Sequence, residues 1–310
     1  MSSSSSEMSS TLLALSNNLA DAVEQAGRCV VTVNARSRYS SSGIHWRPGV
    51  VITADETIKR QEEITIGLPD GRTVPATLAG RDPSTDVAVL KLQDVKLPVA
   101  DIGDTSALKV GHLVLALGRG NESGLSASMG VVSALGGAWR SYYNGLIDQF
   151  IRLDLTLYPG SSGGPLVEAT GRIVGMNTSG PRHTVLTIPA STVNRVVDQL
   201  VEKGRIARGY LGLGMQPVRL PENLKSTLNL SSLGGVIVIN VEPNGPADKA
   251  GMLIGDILVA LDGKPVNDTG DVQAMLGFQS VGKTLNVQII RGGTLVEVAL
   301  TPGERPGKED

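Results

Sequence analysis

Histidine, cysteine and the aromatic residues are scarce in this chain of 310 residues. Histidine occurs only three times, which leaves few candidates for an imidazole base. Aromatic residues make up 3%, so a hydrophobic core must rest on Val, Leu, Ile and Ala. Cys29 is the single cysteine, which excludes an intrachain disulfide and a metal site made of several cysteines. No cofactor or metal-binding motif is found, so we expect neither.

Long apolar runs and blocks of one charge are also missing. No stretch reaches the roughly 18 apolar residues that a membrane span needs. The formal net charge is −2 without a long basic block, so nothing favours nucleic acid or an anionic membrane as a partner. Residues 1–7 lack a basic start and an apolar centre, so they do not form a signal peptide.

The chain is long enough for two domains. Val-rich runs broken by 38 glycines predict short strands and tight turns, and so a mostly β protein. Residues 1–10 are Ser-rich and predict a disordered tail, followed by an amphipathic helix over residues 11–25 that ends at Gly27. Apolar spacing predicts a second helix over residues 190–203. Residues 205–208 read as a linker to a second domain over 209–303, with a tail at 304–310.

One glycine-rich stretch, residues 159–166, is suited to nucleophilic catalysis. Its glycines permit positive φ and close backbone approach. The backbone amides of Gly160 and Ser162 could meet at the position of a developing oxyanion, with the Ser162 hydroxyl as the nucleophile. Asp86 precedes an apolar strand, where a carboxylate could orient a base. Taken singly, the two segments also fit a plain turn and a turn-capping Asp.

Together these segments resemble the HtrA/Deg family of serine proteases. Further segments carry the resemblance between Cys29 and Leu300: the hairpin at 68–72, the strand at 108–118, Asp154, and residues 171–177. The resemblance implies a trypsin-like pair of six-stranded antiparallel β-barrels followed by one PDZ domain. It also implies a homotrimer with contacts from the N-terminal helix, although that helix could equally pack on its own barrel. Family members are often exported, but residues 1–7 do not have the features of a signal peptide. We therefore expect a cytoplasmic protein unless a leader was lost.

The chain departs from the family where the motif T-x-x-H-V-V is expected. Aligning Thr53 with the threonine of the motif places Glu56 at the position of the histidine base. Glutamate has an ordinary pKa of about 4.3 against about 6.5 for histidine, and it lacks two opposed ring nitrogens. Losing one member of a catalytic triad typically costs a factor of about 10⁴ to 10⁶ in turnover. We therefore expect a crippled site, whether the replacement is natural or engineered.

The three histidines offer little compensation. His45 lies in the strand before Thr53, which should point it elsewhere, and His112 reads as a strand-surface residue. His183 falls in a loop that the family places beside the specificity pocket. A rescuing role for His183, or a mechanism with Glu56 as base, stays open as a less favoured alternative.

Two further binding sites are implied by the resemblance. Thr156 maps to the floor of the primary specificity pocket, where it should favour small or apolar side chains. Residues 209–213 resemble the start of an HtrA-type PDZ domain, a module that takes an extended peptide as an added strand. Leu211, Gly212 and Leu213 would hold the peptide carboxylate. The final side chain would meet Leu211, Leu213 and one of Met275 and Leu276, since neighbours on a helix point in different directions.

Three functions remain in competition. The favoured hypothesis is a proteolytically defective HtrA homologue that binds peptides or unfolded chains with apolar C-termini. The first alternative is an active serine endopeptidase of protein quality control, with Ser162 as nucleophile and Asp86 as orienting residue. The second is a scaffold that binds only through the PDZ groove.

Overall fold

The computed structural model describes residues 2–36, 39–121, 124–180, 184–230 and 233–304. The chain divides into two compact units, the first ending at Ile206 and the second beginning at Ala207. This division falls inside the linker predicted at 205–208. No helix in the described ranges is long and apolar enough to cross a membrane.

The first unit opens with helix α1, Ser2–Gly27. Its backbone is helical from Ser2, so the prediction of a disordered tail over residues 1–10 is wrong for residues 2–10. The physical reason is that serine costs only a few tenths of a kcal/mol per residue once a helix is nucleated further along. The helix ends at Gly27, the predicted stop. The Arg119 guanidinium donates to the Gly27 carbonyl at 2.9 Å and caps this end.

The first barrel is closed and antiparallel, with its strands in the order β1-β2-β3-β6-β5-β4. Strands β3 and β6 are neighbours, and Ala54 at the end of β3 lies opposite Val87 at the start of β6. The segments that follow β3 and precede β6 therefore meet at one end of the barrel. The strands are β1 Val30–Asn34, β2 Ser41–Arg47, β3 Val50–Ala54, β4 Ile64–Gly67, β5 Thr73–Asp82 and β6 Val87–Lys91.

The second barrel is also closed, in the order β11-β14-β13-β12-β7-β8. A two-stranded hairpin, β9 and β10, lies between β8 and β11 in the chain. The strands are β7 Leu113–Gly120, β8 Gly124–Gly136, β9 Trp139–Arg140, β10 Leu146–Ile147, β11 Phe150–Asp154, β12 Pro165–Glu168, β13 Ile173–Ser179 and β14 Val185–Pro189. Helix α2, Ala190–Lys203, closes the unit and stops at Gly204, which has a φ of 71°.

The second unit is a sheet with helices, in the strand order β16-β17-β18-β20-β21 with β19 beside β18. Strand β16 pairs on only one side in the described part of the chain, and it contains Pro217. The elements are β15 Gly209–Tyr210, β16 Leu213–Arg219, α3 Glu222–Leu228, β17 Gly234–Val241, α4 Pro246–Lys249, β18 Ile257–Leu261, β19 Lys264–Pro265, α5 Thr269–Met275, β20 Leu285–Arg291, β21 Thr294–Leu300 and β22 Gly303–Glu304.

The cores of both units are aliphatic, as the scarcity of aromatics requires. In the first unit, buried Val, Ile, Leu and Ala side chains from both barrels and α2 form one continuous cluster around Trp46. The second unit has its own cluster of Val, Leu, Ile and Met side chains. The predicted fold class is confirmed: a mostly β chain of two closed six-stranded antiparallel barrels followed by a PDZ-like region.

Candidate active site

The base segment, residues 53–58, turns away from the end of β3. A short 3-10 turn, Asp55–Thr57, carries Glu56 outward, and its side chain is exposed. The Glu56 backbone N–H donates a hydrogen bond of 2.8 Å to Asp86 Oδ1. The hydroxyl of Thr178 donates to Asp86 Oδ2. Both carboxylate oxygens of Asp86 are thus occupied, by β13 on one side and by the base segment on the other.

Ser162 reaches the base segment from the second barrel. Its hydroxyl donates to Glu56 Oε1 at 2.8 Å, which is within the reach required of a nucleophile and its base. The structure therefore brings together Ser162, Glu56 and Asp86. The contact of Asp86 is with the backbone amide of Glu56, so Asp86 holds the segment in place and does not contact the proton-accepting oxygen.

The nucleophile turn, residues 159–165, packs directly on the first barrel. Gly163 has a φ of 85°, and a Cβ there would lie 2.4 Å from the Ser42 carbonyl oxygen and 2.5 Å from Thr53 Oγ1. A Cβ on Gly164 would lie 2.0 Å from the carbonyl oxygen of Leu117. Only glycine fits at these two positions, because backbone atoms that cannot move aside occupy the space.

The turn leaves two backbone donors available. Among the described residues, the amides of Gly160 and Ser162 donate to no protein acceptor. The Ser161 carbonyl accepts from the Gly164 amide at 3.0 Å, which fixes the peptide plane that carries the Ser162 N–H. These two amides are the predicted oxyanion donors, and both are free to bind a developing negative charge.

Burial raises the pKa of Asp86 to about 6, against the hydrogen bonds from Thr178 and the Glu56 amide that lower it. The neighbouring negative charges of Glu56 and then Asp55 raise the pKa further. Asp86 also has a φ of 56°, a left-handed conformation that aspartate tolerates better than most residues. Asp86 is therefore protonated over part of the weakly acidic range.

Sequence reasoning missed the polar residues that support Asp86. Asp82 is buried and accepts from the Ser84 amide, the Ser84 hydroxyl at 2.6 Å and the Thr85 hydroxyl at 2.7 Å. Its Asp-Pro-Ser-Thr pattern is typical of an aspartate that caps its own turn, and it could have been recognised. Thr178 could not, because its contact with Asp86 depends on how the two barrels meet.

A partly buried ion pair is formed by Asp55, the residue that precedes Glu56. Arg81 donates through Nη2 to Asp55 Oδ2 at 2.9 Å and through Nε to Asp55 Oδ1, a two-pronged contact. Asp55 is buried, and its backbone N–H donates to the Asp86 carbonyl at 3.2 Å. Arg81 thus places one positive charge on the carboxylate of Asp55, and this charge also interacts with Asp86.

The histidines in the described ranges are not at this site. His45 is buried in β2, where its Nδ1 bonds the Pro98 carbonyl at 2.9 Å and its Nε2 accepts from the Gly49 amide at 3.2 Å. Both ring nitrogens are occupied, so His45 is structural. His112 is exposed in the turn before β7 rather than on a strand surface, because β7 begins one residue later. His183 lies outside the described residues.

Thr156 is exposed on the segment that leads into the nucleophile turn, while Leu155 and Leu157 pack against the second barrel. The floor of a formed pocket would be buried. The assignment of Thr156 to the specificity pocket stays a prediction.

The edge strand β16 carries partly buried apolar side chains beside α5. Leu213 and Met215 on β16, and Met275 at the end of α5, are each half-buried against the core. Leu211 is buried, and its carbonyl accepts from the Ala247 amide at 2.9 Å. Leu276 is also buried, so Met275 is the one of the two neighbours that remains accessible to a ligand. Its role in binding stays a prediction.

Metal binding finds no support in the described parts of the chain, which contain no group of three or more His, Cys, Asp or Glu side chains placed to hold an ion. The carboxylates of Asp55, Glu56 and Asp86 bind Arg81, Ser162, Thr178 and backbone amides.

The site places a serine hydroxyl against a carboxylate, and it carries more negative charge than a site with an imidazole would. A neutral histidine with an ionised aspartate carries one negative charge before reaction. Glu56 and Asp86 carry two when both are ionised, and a tetrahedral intermediate would add a third. Protonation of Asp86 removes one of these charges.

The fold and the site define a trypsin-like peptidase domain followed by a PDZ domain. The trypsin-like peptidase domain family matches residues 41–176, and the PDZ domain family matches residues 209–301. The chain belongs to the HtrA/DegP family.

Curated relatives in this family are described as probable periplasmic serine endoproteases, DegP-like. The protein from Chlamydia pneumoniae is 33% identical over 270 residues, covering 84% of this chain and 54% of the relative. The one from Pseudomonas fulva is 34% identical over 269 residues, covering 85% and 55%. The chain thus spans about half the length of these relatives.

Solved structures of similar proteins cover nearly the whole chain. The serine endoprotease from Yersinia pestis is 30% identical, with a TM-score of 0.73, covering 92% of this chain and 97% of the other. The HtrA-type protease AlgW with a decapeptide is 26% identical, with a TM-score of 0.74, covering 93% and 99%.

Proposed function

We propose that this chain is an HtrA-type serine endopeptidase that acts on extended polypeptides, with Glu56 in place of the imidazole base. The observation that carries the proposal is the hydrogen bond of 2.8 Å from the Ser162 hydroxyl to Glu56 Oε1. The names of the relatives, serine endoproteases of the same architecture, support it.

In this proposal Ser162 Oγ attacks the carbonyl carbon of a peptide bond while Glu56 takes its proton. The amides of Gly160 and Ser162 hold the carbonyl oxygen as it becomes negative. Protonated Glu56 then returns the proton to the leaving nitrogen, the peptide C–N bond breaks, and an acyl-enzyme remains for water to hydrolyse.

We expect this chemistry to be slow at neutral pH. Carboxylate is a weaker base than imidazole, and on taking the proton it becomes neutral rather than cationic. No positive charge then forms beside the oxyanion. The ionised Asp86 adds repulsion, which weak acid relieves because burial raises its pKa to about 6.

A second candidate is a peptide-binding protein that does not cut. The absence of an imidazole within hydrogen-bond reach of Ser162 in the described ranges favours it, because His45 is committed elsewhere in β2. In this candidate the cleft and the PDZ groove hold peptides or unfolded chains with apolar C-termini. A scaffold is the simpler version of this candidate, in which the PDZ groove alone binds and the cleft does not.

Casein cleavage by three chains distinguishes the candidates: the chain as it stands, Glu56→His and Ser162→Ala, each at pH 5.5 and pH 7.5. Cleavage by the unaltered chain that Ser162→Ala abolishes supports the endopeptidase. Cleavage by Glu56→His alone overturns it in favour of the binder. Peptide affinity that persists after Met275→Lys in the PDZ groove would then exclude the scaffold.

The oligomeric state and the cellular location belong to the same proposal. A homotrimer is consistent with the exposed Leu12, Leu13 and Leu15 on α1, apolar side chains that a neighbouring copy could cover. Light scattering on the chain and on a variant with these leucines changed to Ser tests the trimer. A cytoplasmic location stays a prediction, and fractionation of cells that express the native gene tests it.

A further inference from the structure

Ser42 uses its backbone and side chain to hold the nucleophile turn. It is the second residue of β2 and is fully buried. Its backbone N–H donates to the Ser162 carbonyl at 3.1 Å, and its hydroxyl donates to the Gly160 carbonyl at 2.8 Å. One buried residue thus holds the carbonyls of both residues whose amides form the oxyanion site.

The remaining hydrogen-bonding groups of Ser42 tie that contact to both barrels. Its hydroxyl oxygen accepts from the Arg119 amide at 2.9 Å, at the end of β7 in the second barrel. Its carbonyl accepts from the Thr53 hydroxyl at 2.7 Å, at the start of the base segment. Four bonds therefore link the nucleophile turn, the base segment and the second barrel through a single side chain and its backbone.

The turn is packed against this residue as closely as glycine allows. A Cβ on Gly163 would lie 2.4 Å from the Ser42 carbonyl oxygen. Removing the hydroxyl would leave the Gly160 carbonyl and the Arg119 amide without their partner, next to a turn with no side chain to fill the space. The turn would then lose the contact that fixes Gly160.

We propose that Ser42 is a positioning residue that sets the geometry of the nucleophile turn, and with it the placement of the oxyanion donors relative to Ser162. The inference rests on the proposed function in one respect only, which is that Ser162 in this turn acts as a nucleophile. It concerns where the turn lies and not which group serves as base.

Ser41 provides a matched control. It precedes Ser42 on the same strand and is equally buried, but its hydroxyl has no hydrogen-bond partner among the described residues. Ser41→Ala therefore removes the same atom from an equally buried position on the opposite face of the strand without breaking a bond, so it should leave the turn unchanged.

The first experiment is labelling of Ser162 by a fluorophosphonate, in which Ser162 Oγ bonds to phosphorus and fluoride leaves. Ser42→Ala and Ser41→Ala are each compared in the unaltered chain and in a Glu56→His background. We expect Ser42→Ala to slow labelling at least tenfold relative to Ser41→Ala, since misplacement by about 1 Å can cost about 100-fold. Equal labelling rates in the Glu56→His background would overturn the proposal.

A second readout does not depend on chemistry at Ser162. Hydrogen–deuterium exchange of the peptide that covers residues 158–166 should quicken in Ser42→Ala and stay unchanged in Ser41→Ala. Unchanged exchange in both variants would overturn the proposal. If the chain is labelled only with Glu56→His, the carboxylate-base function fails while the Ser42 effect is still measured in that background.

Discussion

The nucleophile turn and the base segment face each other across the two barrels, yet they constrain their side chains in different ways. In the turn, glycines at 163 and 164 lie against backbone atoms, so sterics alone prescribe the sequence. In the base segment, Asp86, itself bound by Thr178, holds the backbone of Glu56. The exposed Glu56 side chain is held, among the described residues, only by its hydrogen bond from Ser162. The comparison teaches that this scaffold fixes the backbone at residue 56 without prescribing which side chain stands there.

The largest expected effect comes from placing an imidazole at residue 56. Glu56→His should raise kcat/KM for a peptide substrate by a factor of about 10³ or more, because a triad member typically contributes about 10⁴ to 10⁶. The pH dependence should also reverse. The unaltered chain should lose activity as pH rises through about 6, where Asp86 ionises, and the variant should gain activity as its imidazole loses a proton.

Rates measured from pH 5 to pH 8 on both chains check this reversal, and the rate of Ser162→Ala is subtracted as the blank. An unaltered chain whose activity rises with pH would show that Asp86 does not act as described.

A smaller effect should follow from adding one methyl group to the nucleophile turn. Gly163→Ala should destabilise the first unit by about 3 kcal/mol, which combines strain at positive φ with overpacking against Ser42 and Thr53. Gly71→Ala is the matched control, since Gly71 has a φ of 86° but open space around its Cβ position. It should cost about 1 kcal/mol.

Urea unfolding monitored by tryptophan fluorescence measures this difference, because both tryptophans, Trp46 and Trp139, lie in the first unit. Equal costs in the two variants would mean that the turn can shift to make room.

The third prediction concerns the stability cost of the buried carboxyl. The pKa of Asp86 is about 6 in the folded protein and about 3.9 in an unfolded chain. Between about pH 4 and about pH 6 the folded state keeps a proton on Asp86 that the unfolded chain has lost. The free energy of unfolding therefore falls as pH rises from about 4 to about 6. At pH 8 the cost is up to about 3 kcal/mol, and Asp86→Asn should recover part of it.

Tryptophan-monitored urea unfolding of both chains at pH 4 and pH 8 tests this. The gain from Asp86→Asn should be larger at pH 8 than at pH 4. A gain that is the same at both values would contradict the raised pKa.

The smallest effect should come from Thr178→Val, which removes one hydrogen bond to Asp86. We expect a loss of about 1 kcal/mol and a further rise in the pKa of Asp86, since the Thr178 hydroxyl lowers it. The fall in the free energy of unfolding that accompanies ionisation of Asp86 should therefore extend to higher pH. The Asp86→Asn variant is the control, because the Thr178 substitution should cause no such shift there.

The sequence allowed the prediction of the two barrels, the nucleophile turn and the meeting of Glu56 with Ser162. Local patterns predicted the strands and the tight turn, from Val-rich runs and glycines, whereas the two barrels and the place of Glu56 were implied by the resemblance to the HtrA/Deg family. Ser42, Thr178 and the Asp55–Arg81 pair were beyond such reasoning, because each contact depends on strand register or on how two barrels pack. Serine and threonine in strands give no local sign of which acceptor their hydroxyl groups will reach. Helix α1 extended further than predicted because serine opposes a helix only weakly.

Pro217 lies in β16, the edge strand of the second unit, and would limit the length of any peptide that pairs with that edge. Proline has no N–H to give, and within sheets it is tolerated on an edge strand with its nitrogen turned to the open side. An incoming strand can form hydrogen bonds along Leu213 to Gln216, and it meets a gap at Pro217. If the second unit binds polypeptide C-termini as proposed, only the last few residues would pair with β16, and chain further from the C-terminus would contribute little to affinity.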